Sequence, residues 1–386
     1  MSAIVQARRP KVSFVVPCYL LGHLLGECVE SILSQTYGNL EVLIMDDCSP
    51  DDTARVGQSF ADARVRYIRN HPNLGHLRNY NHGIDLARGE YIWLISADDR
   101  LRRPYVVEKY VSVMEAHPQV GYACCPGVDI VNGKENGVGK YSVQASRDMV
   151  FRGHEFLRRL LEGNCVVAAS GMVRRSVYEA LGKFPLDLPY AGDWYLWSLF
   201  ALHYDVAYFA EAMVNYRKHE RSMTSELMVA AVRRCIDDDL AVLWRIKQKA
   251  EEAGFGGMAK RCRQAIAYEY ASHVAGTKYN VPGASITLEQ CESSLHSLAR
   301  NPAEERWIRS RLYVFLGERY FRQQNFSEAQ AFYRRGLSQD PRMVKAWIKR
   351  GLMLTGSFGI GLRRRAFEFR RTAAARLAGD AKRECL

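Results

Sequence analysis

A chain of 386 residues, 48% hydrophobic and 25% charged, has room for two or three packed domains, and this balance excludes a disordered or fibrous protein. The formal net charge of +12 predicts attraction to something acidic: nucleotide phosphates, a nucleic acid or an anionic membrane surface. No apolar stretch approaches the ~18 residues needed to cross a bilayer, and the first eleven residues lead into only a short strand, so a cytoplasmic protein without a signal peptide is expected.

Residues 11–17, a β-branched run closed by Pro17, predict a strand, and apolar residues at helical spacing over 22–36 (Leu24, Leu25, Cys28, Ile32, Leu33) predict a helix after it. A second strand over 40–45 ends in Asp46, Asp47, Ser49, Asp51 and Asp52, residue types that cap a helix starting near Asp52. A short strand over 65–69 and a helix over 75–87 lead to Tyr91-Ile92-Trp93-Leu94-Ile95, a strand apolar enough to be buried on both faces. Strands alternating with helices predict a parallel arrangement with right-handed crossovers, as in nucleotide-binding α/β domains.

That last strand runs into Asp98 and Asp99. The carboxyl end of a strand is where open α/β sheets bind ligands, and two adjacent carboxylates call for a positive partner, most simply Mg²⁺ or Mn²⁺. Neither common phosphate loop is present. Gly133-Lys134-Glu135-Asn136-Gly137-Val138-Gly139-Lys140 lacks the spacing of a Walker loop and reads as a hairpin turn, and no Gly-x-Gly-x-x-Gly follows the first strand. The ten cysteines are scattered without zinc-type pairing and read as reduced thiols.

Six segments in order carry a resemblance. Val12-Ser13-Phe14-Val15-Val16-Pro17-Cys18-Tyr19, Met45-Asp46-Asp47-Cys48-Ser49, Asn73-Leu74-Gly75-His76-Leu77-Arg78-Asn79, Ser96-Ala97-Asp98-Asp99, Gly192-Asp193-Trp194 and Tyr216-Arg217-Lys218-His219 together resemble glycosyltransferase family 2. The resemblance implies the GT-A nucleotide-diphospho-sugar transferase fold, a Rossmann-like mixed sheet, with inversion at the sugar carbon. It implies that Pro17 and Tyr19 line a base and ribose pocket, that Asp47 accepts from the base, and that Arg78 stands near base or diphosphate. Asp98 and Asp99 then hold the metal and Asp193 is the general base. His219, aided by Arg217, contacts phosphates or metal. The commonest pattern has an acid where this chain has Ser96, which removes one charge from the metal site. Asp47 also suits a helix cap, and Trp194 and Trp197 suit either an acceptor cleft or the core.

Beyond residue 225 the pattern is helical throughout, so a catalytic domain over 1–225 and an all-α helical-repeat domain over 226–357 are expected. One tetratricopeptide-like unit, clearest at 310–343, carries Leu316, Gly317, Tyr320, Ala329, Tyr333 and Gly336 where two helices need large and small residues in contact. Such a domain suits a protein partner, a homodimer or a structural extension. The tail, 358–386, has an apolar stripe at helical spacing, and from residue 361 eight Lys and Arg stand against three Asp and Glu. A basic amphipathic helix of this kind lies in an anionic membrane interface or packs on its own domain.

The expected activity is metal-dependent transfer of a sugar from a UDP- or dTDP-sugar to a hydroxyl of a glycan or lipid-linked glycan, as in bacterial surface polysaccharide assembly. A nucleotidyltransferase would carry a Gly-rich basic loop after the first strand, which residues 18–22 lack. A catalytically silent binding module has no need of both Asp98 and Asp193. Nucleic-acid binding is suggested by charge alone and by no motif.

Overall fold

The structure, a computed structural model, describes residues 11–220, 222–279 and 283–354. The chain forms two compact units that divide between Cys262 and Arg263. The first opens with β1 (Val12–Cys18), α1 (Gly22–Leu33), β2 (Leu40–Asp46), α2 (Thr53–Gln58), β3 (Val65–Arg69), α3 (His76–Leu86) and β4 (Tyr91–Leu94). β1 pairs in parallel with β2 and β4, and β2 with β3, as the alternation of strands and helices predicts. Every residue of β1 and β2 is buried, which is why these runs are almost continuously apolar.

Two buried polar residues at the starts of these strands need explaining. Ser13 Oγ donates to Glu41 Oε1 at 2.6 Å, and Arg88 donates to the same carboxylate through its backbone N–H, Nε and Nη2. Burial pushes the Glu41 carboxyl up, but the bonds from Arg88 and Ser13 outweigh it and hold it below its usual 4.5. Arg88→Ala is therefore expected to destabilise the protein by roughly 2 kcal/mol, less than a fully buried pair costs because Arg88 is more than half exposed and Arg66 stands 3.6 Å away. Since the folded-state pKa is depressed, this contribution is present above pH 4.5 and fades as pH falls. Melting curves of variant and wild type should converge as pH falls through the depressed pKa of Glu41.

After β4 come β5 (Arg100–Leu101), α4 (Val106–Ala116), β6 (Val120–Cys124), β7 (Gly127–Val131), β8 (Lys134–Val138), β9 (Met149–Phe151), α5 (Gly153–Leu160), β10 (Met172–Arg174), α6 (Arg175–Leu181), α7 (Gly192–His203), β11 (Asp205–Tyr208) and β12 (Val214–Lys218). The main sheet runs β3-β2-β1-β4-β10-β6-β11-β9, and β10 is antiparallel to both β4 and β6, so the sheet is mixed. A second sheet, β5-β12-β7-β8, begins immediately after the Asp98-Asp99 pair. The stretch 133–140 is indeed part of a hairpin: β7 and β8 are joined by Asn132 and Gly133, both at positive φ, the conformation that tight hairpin turns require. A column of rings, Phe14, Trp93, Tyr110 and Phe209, fills the core with centroid spacings of 5.3, 4.5 and 4.5 Å.

Helices alone follow among the described residues: α8 (Met223–Ala230), α9 (Val232–Glu252), α10 (Gly256–Val274), α11 (Leu288–Leu298), α12 (Pro302–Arg322), α13 (Phe326–Gln339) and α14 (Val344–Leu354). In the second unit α12 and α13 pack together through small residues. A Cβ at Gly336 would stand 2.8 Å from Val314 and 2.9 Å from the Ser310 carbonyl, and one at Gly317 would stand 3.1 Å from the Tyr333 ring. These are residues that the large-and-small spacing singles out. The basic tail, 358–386, lies outside the described residues. No helix among those described is long and apolar enough to cross a membrane.

Candidate active site

The site is built on the carboxyl ends of β1, β2 and β4, with β12 and the start of α7 contributing from later in the chain. Beyond β4 the chain keeps to the side of β1: Ile95 N donates to Val15 O and Ala97 N to Pro17 O, which delivers Asp98 beside the end of β1. Asp98 Oδ2 lies 3.0 Å from His219 Nε2, while its other carboxylate oxygen, Oδ1, is buried with no hydrogen-bond partner among the described residues. Asp99 is 5% exposed and turned toward β12, where its Oδ1 accepts from Arg217 N at 2.9 Å. Burial, and then the neighbouring Asp98, push the Asp99 carboxyl well above the usual carboxylate range. Arg217 is itself engaged: Nε donates to the Asp98 carbonyl at 2.8 Å and Nη2 to Glu27 of α1 at 2.7 Å.

A buried carboxylate oxygen left without a partner, an imidazole beside it and a second acid whose ionisation its surroundings oppose form a donor set that suits a divalent cation. Asp98 and His219 fit that role directly. Asp99 stands behind them, bound to the β12 backbone.

Asp193 occupies the first turn of α7. Its Oδ1 accepts from Trp194 N at 2.6 Å and its Oδ2 from Asn164 Nδ2 at 3.1 Å. Asn164 is oriented in turn by Val166 N, which donates to its Oδ1 at 3.2 Å. Burial pushes the Asp193 carboxyl up to about 6 against these two bonds, with the charge of Asp239 adding to the rise. Tyr80 of α3 and Tyr216 of β12 both lie in the fields of Asp98 and Asp193, so acids 95 positions apart in sequence stand within electrostatic reach of the same two rings. Tyr141, half exposed after the β7–β8 hairpin, feels Asp99 and Asp193. Trp194 and Trp197 belong to the core, 3% and 4% exposed, and Trp194 Nε1 is bound to Leu160 O.

Asn164 was not among the residues picked out by motif. It lies in an irregular loop after α5, and its only local signal is the preceding Gly163, at φ 144°. Because its amide stabilises the charged form of Asp193, Asn164→Ala is expected to move the acidic limb of the pH–rate profile upward from about 6, with donor KM unchanged. A profile identical to wild type would remove Asn164 from the site.

The β1 and β2 ends form the other wall. Tyr19 is half exposed after Pro17, and both connecting loops hold a non-glycine residue at positive φ, Leu20 and Cys48, a sparsely populated conformation held here by Leu20 N donating to Ser49 Oγ. Asp47 is 2% exposed and accepts from Asn70 Nδ2 and Leu74 N on one oxygen and Gly75 N on the other, which leaves about one of its four lone-pair positions for a ligand. It thereby shapes the entry to α3, on which Arg78 is exposed.

Residues 13–182 match the model of glycosyl transferase family 2. This part of the chain belongs to that family. Similar proteins are named as glycosyltransferases. An uncharacterized glycosyltransferase of Haemophilus influenzae is 29% identical over 221 residues, 56% of this chain and 68% of that one. Glycosyltransferase GlyG of Streptococcus pneumoniae and the putative glycosyltransferase EpsE of Bacillus subtilis are each 38% identical over 111 residues, 28% of this chain, which spans only 37% and 40% of theirs. The structure of S. aureus TarS residues 1–349 in complex with UDP-GlcNAc superposes with a TM-score of 0.59 at 18% identity, over 84% of this chain and 92% of that one, a likeness of fold. Residues 13–182 are thus a family 2 glycosyltransferase domain with a GT-A fold, and a helical carboxyl-terminal region follows. Within this glycosyltransferase Asp193 and His219 lie beyond the matched residues, on elements adjoining β11 and in β12's wake, and the fold carries them to Asp98.

Proposed function

We propose that this glycosyltransferase moves a sugar from a UDP- or dTDP-linked donor to a hydroxyl of a glycan or lipid-linked glycan, with inversion and with the aid of a divalent cation. The observation that carries the reading is Asp193: a carboxylate that acts, as Asp98 does, on Tyr80 and Tyr216, with its pKa raised to about 6 and its oxygens held by Trp194 N and Asn164. A sugar hydroxyl is a poor nucleophile, and Asp193 takes its proton as the new bond to the anomeric carbon forms and the bond to the diphosphate breaks. Attack from the face opposite the leaving group inverts that carbon. Asp98 and His219 would hold Mg²⁺ or Mn²⁺, which when bound offsets charge on the departing diphosphate. Tyr19 offers a flat face to the base and Asp47 an acceptor, while Arg217 keeps the β12 strand against Asp98.

Support for a UDP-linked donor comes from TarS, whose structure was determined with UDP-GlcNAc. Surface polysaccharide assembly on the cytoplasmic face of a bacterial membrane suits this chemistry, and the basic tail suits an acceptor held at an anionic surface. In this reading the catalytic part extends past the expected boundary at 225 to the end of the first unit at Cys262, and the helices from Arg263 carry the tetratricopeptide-like pair for a protein partner or a second copy. A panel of nucleotide sugars tests the donor: a UDP- or dTDP-sugar should raise the melting temperature in the presence of Mn²⁺ and be turned over with acceptor. No shift with any nucleotide sugar, UDP or dTDP would overturn it.

A further inference from the structure

Asp193 sits on a helix whose N-cap residue offers no side chain to hold its entry. Ala191, at the N-cap of α7, has no side-chain oxygen, and no side-chain cap is made there. The residues before α7 are instead gripped by α9, which lies outside the family match. Asp238 of α9 is 2% exposed, and its Oδ2 accepts from Tyr190 N at 2.8 Å and Ala191 N at 3.4 Å. Its Oδ1 is paired with Arg234 Nε at 2.9 Å, and Arg234 also donates to the Asp187 carbonyl at 2.5 Å. About two turns along α9, Arg245 binds the Asp187 carboxylate and lies over the Tyr195 ring on α7 at 6.0 Å.

We propose that α9 is a brace for the general base and that Asp238 is its positioning residue: by accepting the two N–H groups at the entry to α7 it fixes the direction in which the first turn, and Asp193 with it, faces the sugar site. The physical case is one of accounting for donors. Backbone N–H groups at a helix start must find acceptors, and a carboxylate satisfies them better than water because its charge also suits the positive end of the helix. A capping side chain at position 191 would tie α7 only to itself. An acceptor on α9 ties it to a second, 21-residue helix, and so makes the base's position depend on chain that follows the catalytic strands. The inference rests on Asp193 acting as the base, as proposed above.

Three readouts on the full chain test it. Asp238→Ala should lower kcat roughly 10- to 100-fold, the scale on which a base displaced by about an ångström loses efficiency, while the donor KM and UDP affinity change less than about two-fold. Amide hydrogen exchange over 190–194, measured without substrate, should rise in the same variant. Asp238→Asn keeps a carbonyl oxygen for Tyr190 N and should recover most of both. Unchanged kcat and unchanged exchange in Asp238→Ala would overturn the proposal. So would kcat, donor affinity and melting temperature falling together without recovery in Asp238→Asn, which is the mark of a general structural role. If Asp238→Ala does not fold, Arg245→Ala loosens the same loop from a partly exposed position and should lower kcat roughly two- to ten-fold at constant donor affinity; no change there counts against the brace. The proposed reaction is judged separately, by wild-type turnover and its loss in Asp193→Asn, and the exchange measurement decides on the brace whatever the turnover shows.

Discussion

Asp193→Asn is expected to lower turnover by roughly 10²- to 10⁴-fold, about 3 to 5 kcal/mol of transition-state stabilisation, while UDP binding survives. The amide keeps the shape of the carboxylate and its one oxygen can still accept from Trp194 N, which keeps the first turn of α7 in place while the bond from Asn164 is given up. What is lost is the proton acceptor. Wild-type activity should fall as pH drops through about 6, because only the ionised carboxylate serves as base. Stability should respond in the opposite sense to an ordinary salt-bridged acid. A carboxyl raised from 3.8 to about 6 in the folded state favours folding below pH 3.8, and that contribution is lost as pH rises through 6. Above pH 7 the buried charge therefore costs up to about 3 kcal/mol, and the Asn variant should melt at or above the wild-type temperature, with the difference vanishing near pH 4. Near-normal turnover in the Asn variant, with the right donor and acceptor, would remove Asp193 from the mechanism.

The second large effect is expected at Asp98. Asp98→Ala removes the carboxylate whose buried Oδ1 has no hydrogen-bond partner and leaves His219 facing an empty position. Transfer should fall by at least about 10³-fold and UDP affinity by about ten-fold, since both depend on the cation that Asp98 would hold at the diphosphate. Asp99→Asn is the informative companion. It keeps an oxygen for Arg217 N and should retain far more activity if Asp99 serves the β12 backbone, and lose as much as Asp98→Ala if it is an equal ligand. Full wild-type activity in excess EDTA would end the metal assignment.

Much of this architecture is legible along the chain. Strands buried on both faces must be apolar at nearly every position, so β1, β2 and β4 stand out as runs, and the helices between them announce parallel pairing. The acid pair is legible for the same reason: after a strand of that kind, charged residues mark the place where the backbone leaves the sheet. Gly317 and Gly336 are equally visible, because only a small residue permits the contact between α12 and α13. Other features carry no local signal. The antiparallel sense of β10 is not written into three residues, which are too few to show a period, and depends on which neighbours are left to pair. Trp194 and Trp197 are aromatic residues on a helix in either role, and only the packing of α7 puts them in the core. Asp47 and Arg217 are engaged by the loop before α3 and by Glu27, partners fixed by folding and not by spacing. Asn164 and Asp238 belong to no motif, yet one holds the carboxylate of Asp193 and the other the entry to its helix. The sequence alone determined the kinds of chemistry available, since side-chain type and period are local; the tertiary structure decided which groups meet, because a hydrogen bond across 29 or 48 residues exists only once the chain between them has closed.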